Sequence, residues 1–326
     1  MPSNDTENSN DTLTFFLRQL VYIDQEILIH LPLVFITLGM IGFVGNAFTF
    51  LQLPLRFNSC CIYLLCESFI DTINLFVNLF PAYLHGSPKN IVLEISSRFQ
   101  CKFKLFCLVF LPQLSINFLI LSVIDRYACT CSLTSPIRYI RQLSAIPCII
   151  FLNILLACLM SLYSPLYYDV ASGLGCVCID PLMNGLLYIL VHGVLTPCVM
   201  LIFVLLTYRN VSKSHYRANL INRDRSGNPF VRMIFTQVLT TSFLILQWII
   251  FYVYHMFTAC KLDHANDKVL QMFLFSLSNY TYYLINIKSF YLSTLTSRVF
   301  RRTFVKSFRQ ILPDRSSQRN SSPNSN

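Results

Sequence analysis

The stretch that decides the fold is Leu121–Cys131, which reads LSVIDRYACTC. It closes an apolar run that begins near Leu105, and it contains an acid, a guanidinium and a phenol in direct succession. A charge at lipid depth costs a few kcal/mol on insertion scales, so ionisable residues in such a segment are functional candidates by default. Asp125, Arg126 and Tyr127 are therefore the first candidates for a functional site.

The composition around this stretch is that of a membrane protein. Of the 326 residues, 54% are hydrophobic and 12% are charged, whereas soluble domains carry about 25% charged residues. A membrane helix needs on the order of 20 apolar residues. Seven stretches reach that length: 27–53, 61–84, 104–127, 143–165, 182–207, 231–258 and 269–295. Because the connectors are short, the sequence predicts an all-α membrane protein with one seven-transmembrane helix bundle, the domain 27–295.

The positions of the basic residues predict the orientation. The net charge is +10, and 17 of the 25 Lys and Arg residues lie on the side that holds the C-terminus. The positive-inside rule then makes residues 1–26 an extracellular segment and 313–326 a disordered cytoplasmic tail. Anionic lipid heads and cytoplasmic proteins meet such a basic surface, which argues against nucleic acid as a partner. The polar, acidic residues 1–11 contain no signal peptide, so the first span is expected to insert itself.

Two further features fit this orientation. Asn4 and Asn10 begin glycosylation sequons in the outer segment. Residues 296–312 predict an amphipathic helix that lies along the inner membrane surface. Its apolar face consists of Phe300, Phe304, Phe308 and Ile311, and its basic residues lie opposite.

The spacing from Cys101 to Arg126 is 25 residues, about 37 Å of helix at 1.5 Å per residue, a full bilayer crossing. This spacing resembles the third helix of the rhodopsin-like (class A) G-protein-coupled receptor family, which carries a disulfide cysteine at its outer end and Asp-Arg-Tyr at its inner end. Other family marks follow in order along the chain: Gly45-Asn46, Asp71, Ser115, Pro197, Trp248 and the eighth helix that begins near Phe300.

The chain departs from the family at several positions. Ile250 stands where a proline would follow Trp248, and the seventh-span signature of Asn-Pro and a later Tyr is absent. Counting back from Phe300 places Ser289–Ser293 over that signature. Counting from Asn286 keeps the Asn but places the eighth helix three residues late. We prefer the first register.

The resemblance implies a divergent plasma-membrane receptor that couples an extracellular ligand to a heterotrimeric G protein. Asp125 would hold Arg126 at rest, Tyr127 would complete the coupling motif, and Trp248 and Pro197 would act as activation switches. Asp71 and Ser115 would help to hold a sodium ion. Cys101 would bridge to Cys176 or Cys178, and the remaining cysteine would pair with Cys260.

The ligand class stays open between a peptide and a small chemosensory molecule. Leu108 occupies the position of the acid that amine receptors use, and Tyr283 that of the lysine that binds retinal. The outer half is instead rich in tyrosines and a histidine, which suit an amphipathic ligand. These residues are Tyr163, Tyr167, Tyr168, Tyr252, Tyr254, His255, Tyr280 and Tyr282.

Three ionisable residues lie deep in the predicted spans. Glu67 and Asp71 are four residues apart, so they share a helix face, and two neighbouring carboxylates away from water need a cation. Lys288 lies at a similar depth, which predicts an internal ion pair with Glu67 or Asp71 that partly replaces sodium. The same residues suggest the alternative function, an ion or proton transporter. No metal-ligand spacing joins the histidines, so an enzyme is not expected.

Overall fold

The computed structural model describes residues 15, 18–53, 55–84, 97–131, 135–171, 175–219, 229–258 and 265–311. The predicted glycosylation residues Asn4 and Asn10, the cysteine Cys260 and the tail 313–326 lie outside them.

The described residues are almost entirely helical. The α-helices are α1 (Leu31–Phe50), α2 (Ser59–Asn74), α3 (Phe80–Leu84), α4 (Arg98–Thr130), α5 (Ile146–Ser161), α6 (Tyr163–Leu166), α7 (Pro181–Tyr188), α8 (Thr196–Asn219), α9 (Pro229–Thr258), α10 (Ala265–Tyr283), α11 (Lys288–Thr296) and α12 (Arg298–Ile311). Segments of π-helix cover Ile23–Ile27, Leu75–Leu79 and Ile189–Leu195. Turns of 3₁₀ helix cover Leu28–His30, Pro136–Arg141 and Leu284–Asn286.

Six of the helical regions are long and apolar enough to cross a membrane. They are Leu28–Phe50, Ser59–Leu79, Arg98–Thr130, Ile146–Leu166, Pro181–Ser212 and Val231–Thr258. The prediction of an all-α membrane protein is therefore confirmed, and these regions correspond to the first six predicted spans.

The seventh predicted span, 269–295, is not one long apolar helix. It is divided into α10 and α11 by the 3₁₀ turn Leu284–Asn286, and it does not count among the six spanning regions. Among the described residues, six long apolar helices are thus found where seven were expected, and the seventh predicted span is a broken helix. The physical reason is local, because Asn286 and Lys288 are polar side chains that are buried directly at the break.

The outside of the bundle is apolar and much of its inside is polar, as lipid surroundings require. Helix α5 shows this pattern clearly, since its buried residues include Asn153 and Ser161, whereas Phe151 and Leu152 are exposed. Small and polar residues let membrane helices approach closely and bond to one another.

Helix α4 lies at the centre and packs against α2, α5 and α8. Its 33 residues give a length of about 50 Å. At its Arg98 end, Cys101 forms a disulfide with Cys176 in strand β2 (Gly175–Cys178). Strand β2 pairs antiparallel with β1 (Tyr168–Ala171), so a short hairpin is fixed to this end of α4.

Helix α12 packs its aromatic face on α1 and α11. Phe300 is fully buried against Phe50 and Phe290, with ring centroids 5.3 and 5.9 Å apart. Phe304 contacts Phe290 at 5.5 Å, and Arg301 and Arg302 are exposed. The predicted amphipathic helix is therefore present. The side chains of Phe308 and Ile311 lie outside the described part.

Gly45 allows α1 to meet α11. A Cβ atom at this position would lie 2.3 Å from Cε2 of Phe290, which is closer than real atoms approach. The ring of Phe290 therefore occupies the space that any larger residue at position 45 would need.

Candidate functional site

The Thr130 end of α4 holds a buried ion pair. Nη2 of Arg126 lies 2.7 Å from Oδ2 of Asp125, and both side chains are less than a tenth exposed. This is the pair that the family resemblance implies. The guanidinium is buried because the N-terminal end of α2 covers it.

Two further residues, which the sequence analysis did not identify, form hydrogen bonds with this pair. Nη2 of Arg126 donates to Oδ1 of Asn58 at 2.5 Å, and Ser59 donates to Oδ1 of Asp125. Asn58 is also the N-cap of α2, where its Oδ1 accepts from the Cys60 amide. Asn-Ser before an apolar run is an N-cap signal, so the helix start could have been found in the sequence, although its contact with α4 could not.

A cavity of about 430 Å³ lies beside Arg126, between α4, α8 and α9. Its walls are Val123, Arg126, Val204, Thr207, Tyr208, Val211, Val231, Arg232, Ile234 and Phe235. The third residue of the motif, Tyr127, points elsewhere and packs edge-on against Phe203 at 5.8 Å. Arg126 therefore lines the cavity, whereas Tyr127 contacts α8 outside it.

The middle of the bundle holds the three ionisable residues that the sequence singled out. Nζ of Lys288 lies 3.5 Å from Oε1 of Glu67 and donates to the Ile285 carbonyl at 3.0 Å. Ser115 donates to Oδ1 of Asp71 at 2.5 Å. Glu67 and Asp71 are each 1% exposed. Lys288 thus reaches Glu67, and Asp71 is bonded to Ser115.

The charges of this cluster bear on the sodium ion that the family resemblance implies. The Lys288 ammonium supplies one positive charge to Glu67, whereas Oδ2 of Asp71 is buried without a hydrogen-bond partner among the described residues. No group of three His, Cys, Asp or Glu side chains that could hold a metal occurs within the described residues. The Lys288 ammonium is thus a tethered cation beside Glu67, and the sodium site of Asp71 and Ser115 stays a prediction.

Asparagines and serines extend the cluster. Asn46 donates to Ser68 at 3.0 Å and to Ser289 at 3.5 Å. Asn74 donates to Oδ1 of Asn286 at 3.0 Å. The break between α10 and α11 is thus held by two buried donors, the Asn74 amide and the Lys288 ammonium, without a proline.

The predicted switch residue Trp248 lies in an aromatic cluster nearer the Arg98 end of α4. Nε1 of Trp248 donates to the Tyr188 hydroxyl at 2.8 Å, and the indole contacts Tyr252, Phe275 and Tyr282 with ring centroids 5.2 to 6.1 Å apart. The other predicted switch residue, Pro197, is the second residue of α8, which directly follows the π-helix Ile189–Leu195.

Only some of the predicted outer tyrosines join this cluster. Tyr252 and Tyr282 belong to it, and Tyr163 lies 6.1 Å from His192 at its edge. Tyr254 is 48% exposed on the outside, and Tyr280 packs on Phe35. Tyr188, which the sequence analysis did not name, is at its centre.

Two buried glutamines were also missed. Oε1 of Gln113 lies 2.6 Å from Nδ1 of His192, and Nε2 of Gln113 donates to Asn117 at 2.8 Å. Gln237 in α9 donates to the Ser289 carbonyl at 3.2 Å and to the Ser293 hydroxyl at 2.9 Å. Their position as polar residues inside apolar runs was the sequence signal that could have identified both glutamines. Gln237 joins α9 directly to α11.

At the Arg98 end, Cys101 is bonded to Cys176 and Cys178 is a free thiol. The expectation that the left-over cysteine pairs is thus corrected for Cys178. Burial raises the pKa of the Cys178 thiol, which keeps it protonated and unreactive. Across the hairpin, Asp169 forms an ion pair with Arg98 at 2.6 Å. The Val170 amide and Arg98 together lower the pKa of Asp169.

No protein-family model matches this chain, and no curated protein matches it. The residues and contacts described above are therefore the whole basis for assigning a function.

Proposed function

We propose that this chain is a divergent member of the rhodopsin-like G-protein-coupled receptors. In this proposal α10, the 3₁₀ turn and α11 together form the seventh span, and α12 is the eighth helix. The observation that carries it is the buried Asp125–Arg126 pair at one end of a 33-residue helix whose other end is tied to a hairpin by Cys101 and Cys176. A physical argument supports this choice, because a buried guanidinium in a membrane-spanning helix is costly and marks a functional site by default.

The proposed orientation places residues 1–26 outside the plasma membrane and the Thr130 end of α4 in the cytoplasm. The ligand, a peptide or a small chemosensory molecule, would bind from the outside above the Trp248 cluster. The aromatic rings and hydroxyl groups of that cluster suit an amphipathic ligand. The heterotrimeric G protein would bind at the cytoplasmic end, beside Arg126.

Activation in this proposal is a population shift between two helix packings. The resting packing is held by the bonds of Arg126 to Asp125 and Asn58, and by the bonds of Gln237 to Ser289 and Ser293. When α9 moves away from α11, the Gln237 bonds break. Arg126 then leaves Asp125 and Asn58 and meets the G protein in the cavity that it already lines.

A test that needs no ligand follows from Gln237. Gln237→Leu keeps the volume but removes both bonds to α11, so we expect basal G-protein activation to rise. Each buried neutral bond contributes about 1 kcal/mol, and two of them correspond to roughly a tenfold to thirtyfold shift in the population of the active packing. Nucleotide exchange by purified G proteins, measured with the chain in nanodiscs, reports this increase.

The second substitution of this test identifies the coupling residue. Adding Arg126→Gln to Gln237→Leu should abolish the basal exchange, whereas adding the matched control Arg302→Gln should not, because Arg302 is exposed on α12. Gln at position 126 can still donate to the neighbouring carboxylate and limits the loss of stability. Exchange that survives Arg126→Gln in folded protein would refute the receptor mechanism.

The buried Glu67–Lys288 pair supports a second candidate, an ion or proton transporter. The same preparation distinguishes the two candidates. In proteoliposomes with an imposed pH gradient, a transporter gives a proton flux that is lost in Glu67→Gln, whereas a receptor gives none.

A further inference from the structure

The cavity beside Arg126 is built from one face of each of three helices. Helix α8 contributes Val204, Thr207, Tyr208 and Val211, which are spaced three and four residues apart and so share one face. Helix α9 contributes Val231, Arg232, Ile234 and Phe235, and α4 contributes Val123 and Arg126. Apart from the two arginines, the walls are mainly apolar or aromatic. The volume of about 430 Å³ is within the range of small-molecule sites.

The side of this cavity that lies between α8 and α9 faces the surroundings of the bundle. Tyr208 and Phe235 in its walls are 63% and 37% exposed. On the same two helices, Leu205 and Leu239 are 58% and 45% exposed. In a membrane-spanning segment such apolar surface is covered by acyl chains. A lipid chain can therefore enter the cavity from the bilayer without crossing water.

The cavity also carries a positive charge at its edge. Arg232 is exposed, and among the described residues no carboxylate lies within ion-pair distance of it. Arg126, by contrast, is already paired with Asp125. A guanidinium forms two parallel hydrogen bonds to a phosphate or carboxylate. The charge of Arg232 is thus complementary to an anionic headgroup, and the apolar walls of the cavity are complementary to the apolar tail that carries it.

We propose that this cavity binds one acyl chain of an anionic phospholipid of the inner leaflet, with its headgroup on Arg232. The proposal rests on the orientation given under the proposed function, which places this end of the bundle in the cytoplasmic leaflet, where anionic lipids are enriched. The acyl chain lies against Val204, Val211 and Phe235. The lipid then contacts α8 and α9 together.

The test uses a photoactivatable phosphatidylserine whose acyl chain carries a diazirine. The purified full chain, in phosphatidylcholine nanodiscs without G protein, is irradiated and the labelled peptides are identified by mass spectrometry. We expect labelling of 204–211 and 231–235 that unlabelled phosphatidylserine displaces and that the matching phosphatidylcholine probe does not reproduce. Because no G protein is present, the labelling reports on the lipid site whether or not the chain couples to one.

Two variants separate the headgroup contact from the chain contact. Arg232→Gln should lower the labelling about fivefold, which corresponds to about 1 kcal/mol for one basic residue at an anionic surface, and Arg302→Gln should leave it unchanged. Val211→Phe fills the cavity and should lower the labelling while Arg232 remains.

Three results would overturn the proposal. The first is equal labelling by the serine and choline probes, which would indicate general lipid contact. The second is an equal effect of Arg232→Gln and Arg302→Gln. The third is displacement by oleate but not by unlabelled phosphatidylserine, which would assign the site to a free fatty acid.

Discussion

Lys288→Met is expected to destabilise the protein strongly, because it leaves Glu67 buried without its cation. Methionine is similar in length and apolar, so packing is largely kept while the contact at 3.5 Å with Glu67 and the bond to the Ile285 carbonyl are lost. Removing one partner of a buried ion pair costs about 3–5 kcal/mol. Both side chains are at most 5% exposed, so solvent screening does not reduce this cost.

The loss should be visible as a lower midpoint of thermal unfolding. A change of 1 kcal/mol shifts the midpoint of a large domain by about 2–4 °C, so the expected decrease is roughly 6–20 °C. Fluorescence-detected size-exclusion chromatography after heating measures it in nanodiscs or detergent. Lys306→Met is the matched control, because Lys306 is exposed on α12 and should change the midpoint little.

A second substitution distinguishes a lost charge partner from a packing defect. Glu67→Gln added to Lys288→Met removes the unpaired carboxylate and should recover part of the loss, with a coupling energy of about 0.5–3 kcal/mol. Sodium gives a further readout. Replacing choline by sodium should stabilise Lys288→Met more than the unchanged protein, because only the variant lacks an internal cation. Additive losses in the double variant, or equal sodium effects, would refute the tethered-ammonium interpretation.

Three further predictions concern other contacts. Cys101→Ser should cost about 2–4 kcal/mol, since the disulfide restrains the chain, whereas Cys178→Ser should be nearly neutral; mass spectrometry of non-reduced digests checks the pairing. Gly45→Ala should cost about 1–3 kcal/mol by overpacking, because its Cβ would lie 2.3 Å from an aromatic carbon, whereas Gly42→Ala meets its neighbour at an ordinary 3.4 Å and should cost less. The pKa of Asp169 is lowered in the folded protein. Its ion pair with Arg98 should therefore be fully formed above the pKa of an ordinary aspartate and be lost as the pH falls through the lowered pKa. A titration that follows the carboxyl ¹³C resonance of Asp169 checks this.

The sequence was sufficient to predict those features of the fold and the site that follow from a single physical requirement, independent of how the helices are rotated. The membrane character follows from composition, the ends of α4 follow from the spacing of 25 positions from Cys101 to Arg126, and a buried ammonium must find a carboxylate such as Glu67. It was insufficient where a contact depends on how two helices are rotated relative to each other. Asn58 and Gln237 each reach across to another helix, and no local pattern specifies the rotation that brings their partners within hydrogen-bond distance.

The 3₁₀ turn Leu284–Asn286 allows α11 to rotate about the helix axis relative to α10. Three residues turn through about 360° in a 3₁₀ helix but only about 300° in an α-helix. Proline would forbid the continuous form by removing a backbone donor, whereas the residues of this turn permit both forms. Converting the turn to α-helix would twist α11 by about 60° relative to α10. That rotation would carry Lys288 away from Glu67 and Ser293 away from Gln237 in a single movement, so that one backbone rearrangement would release the charge cluster and the contact with α9 together.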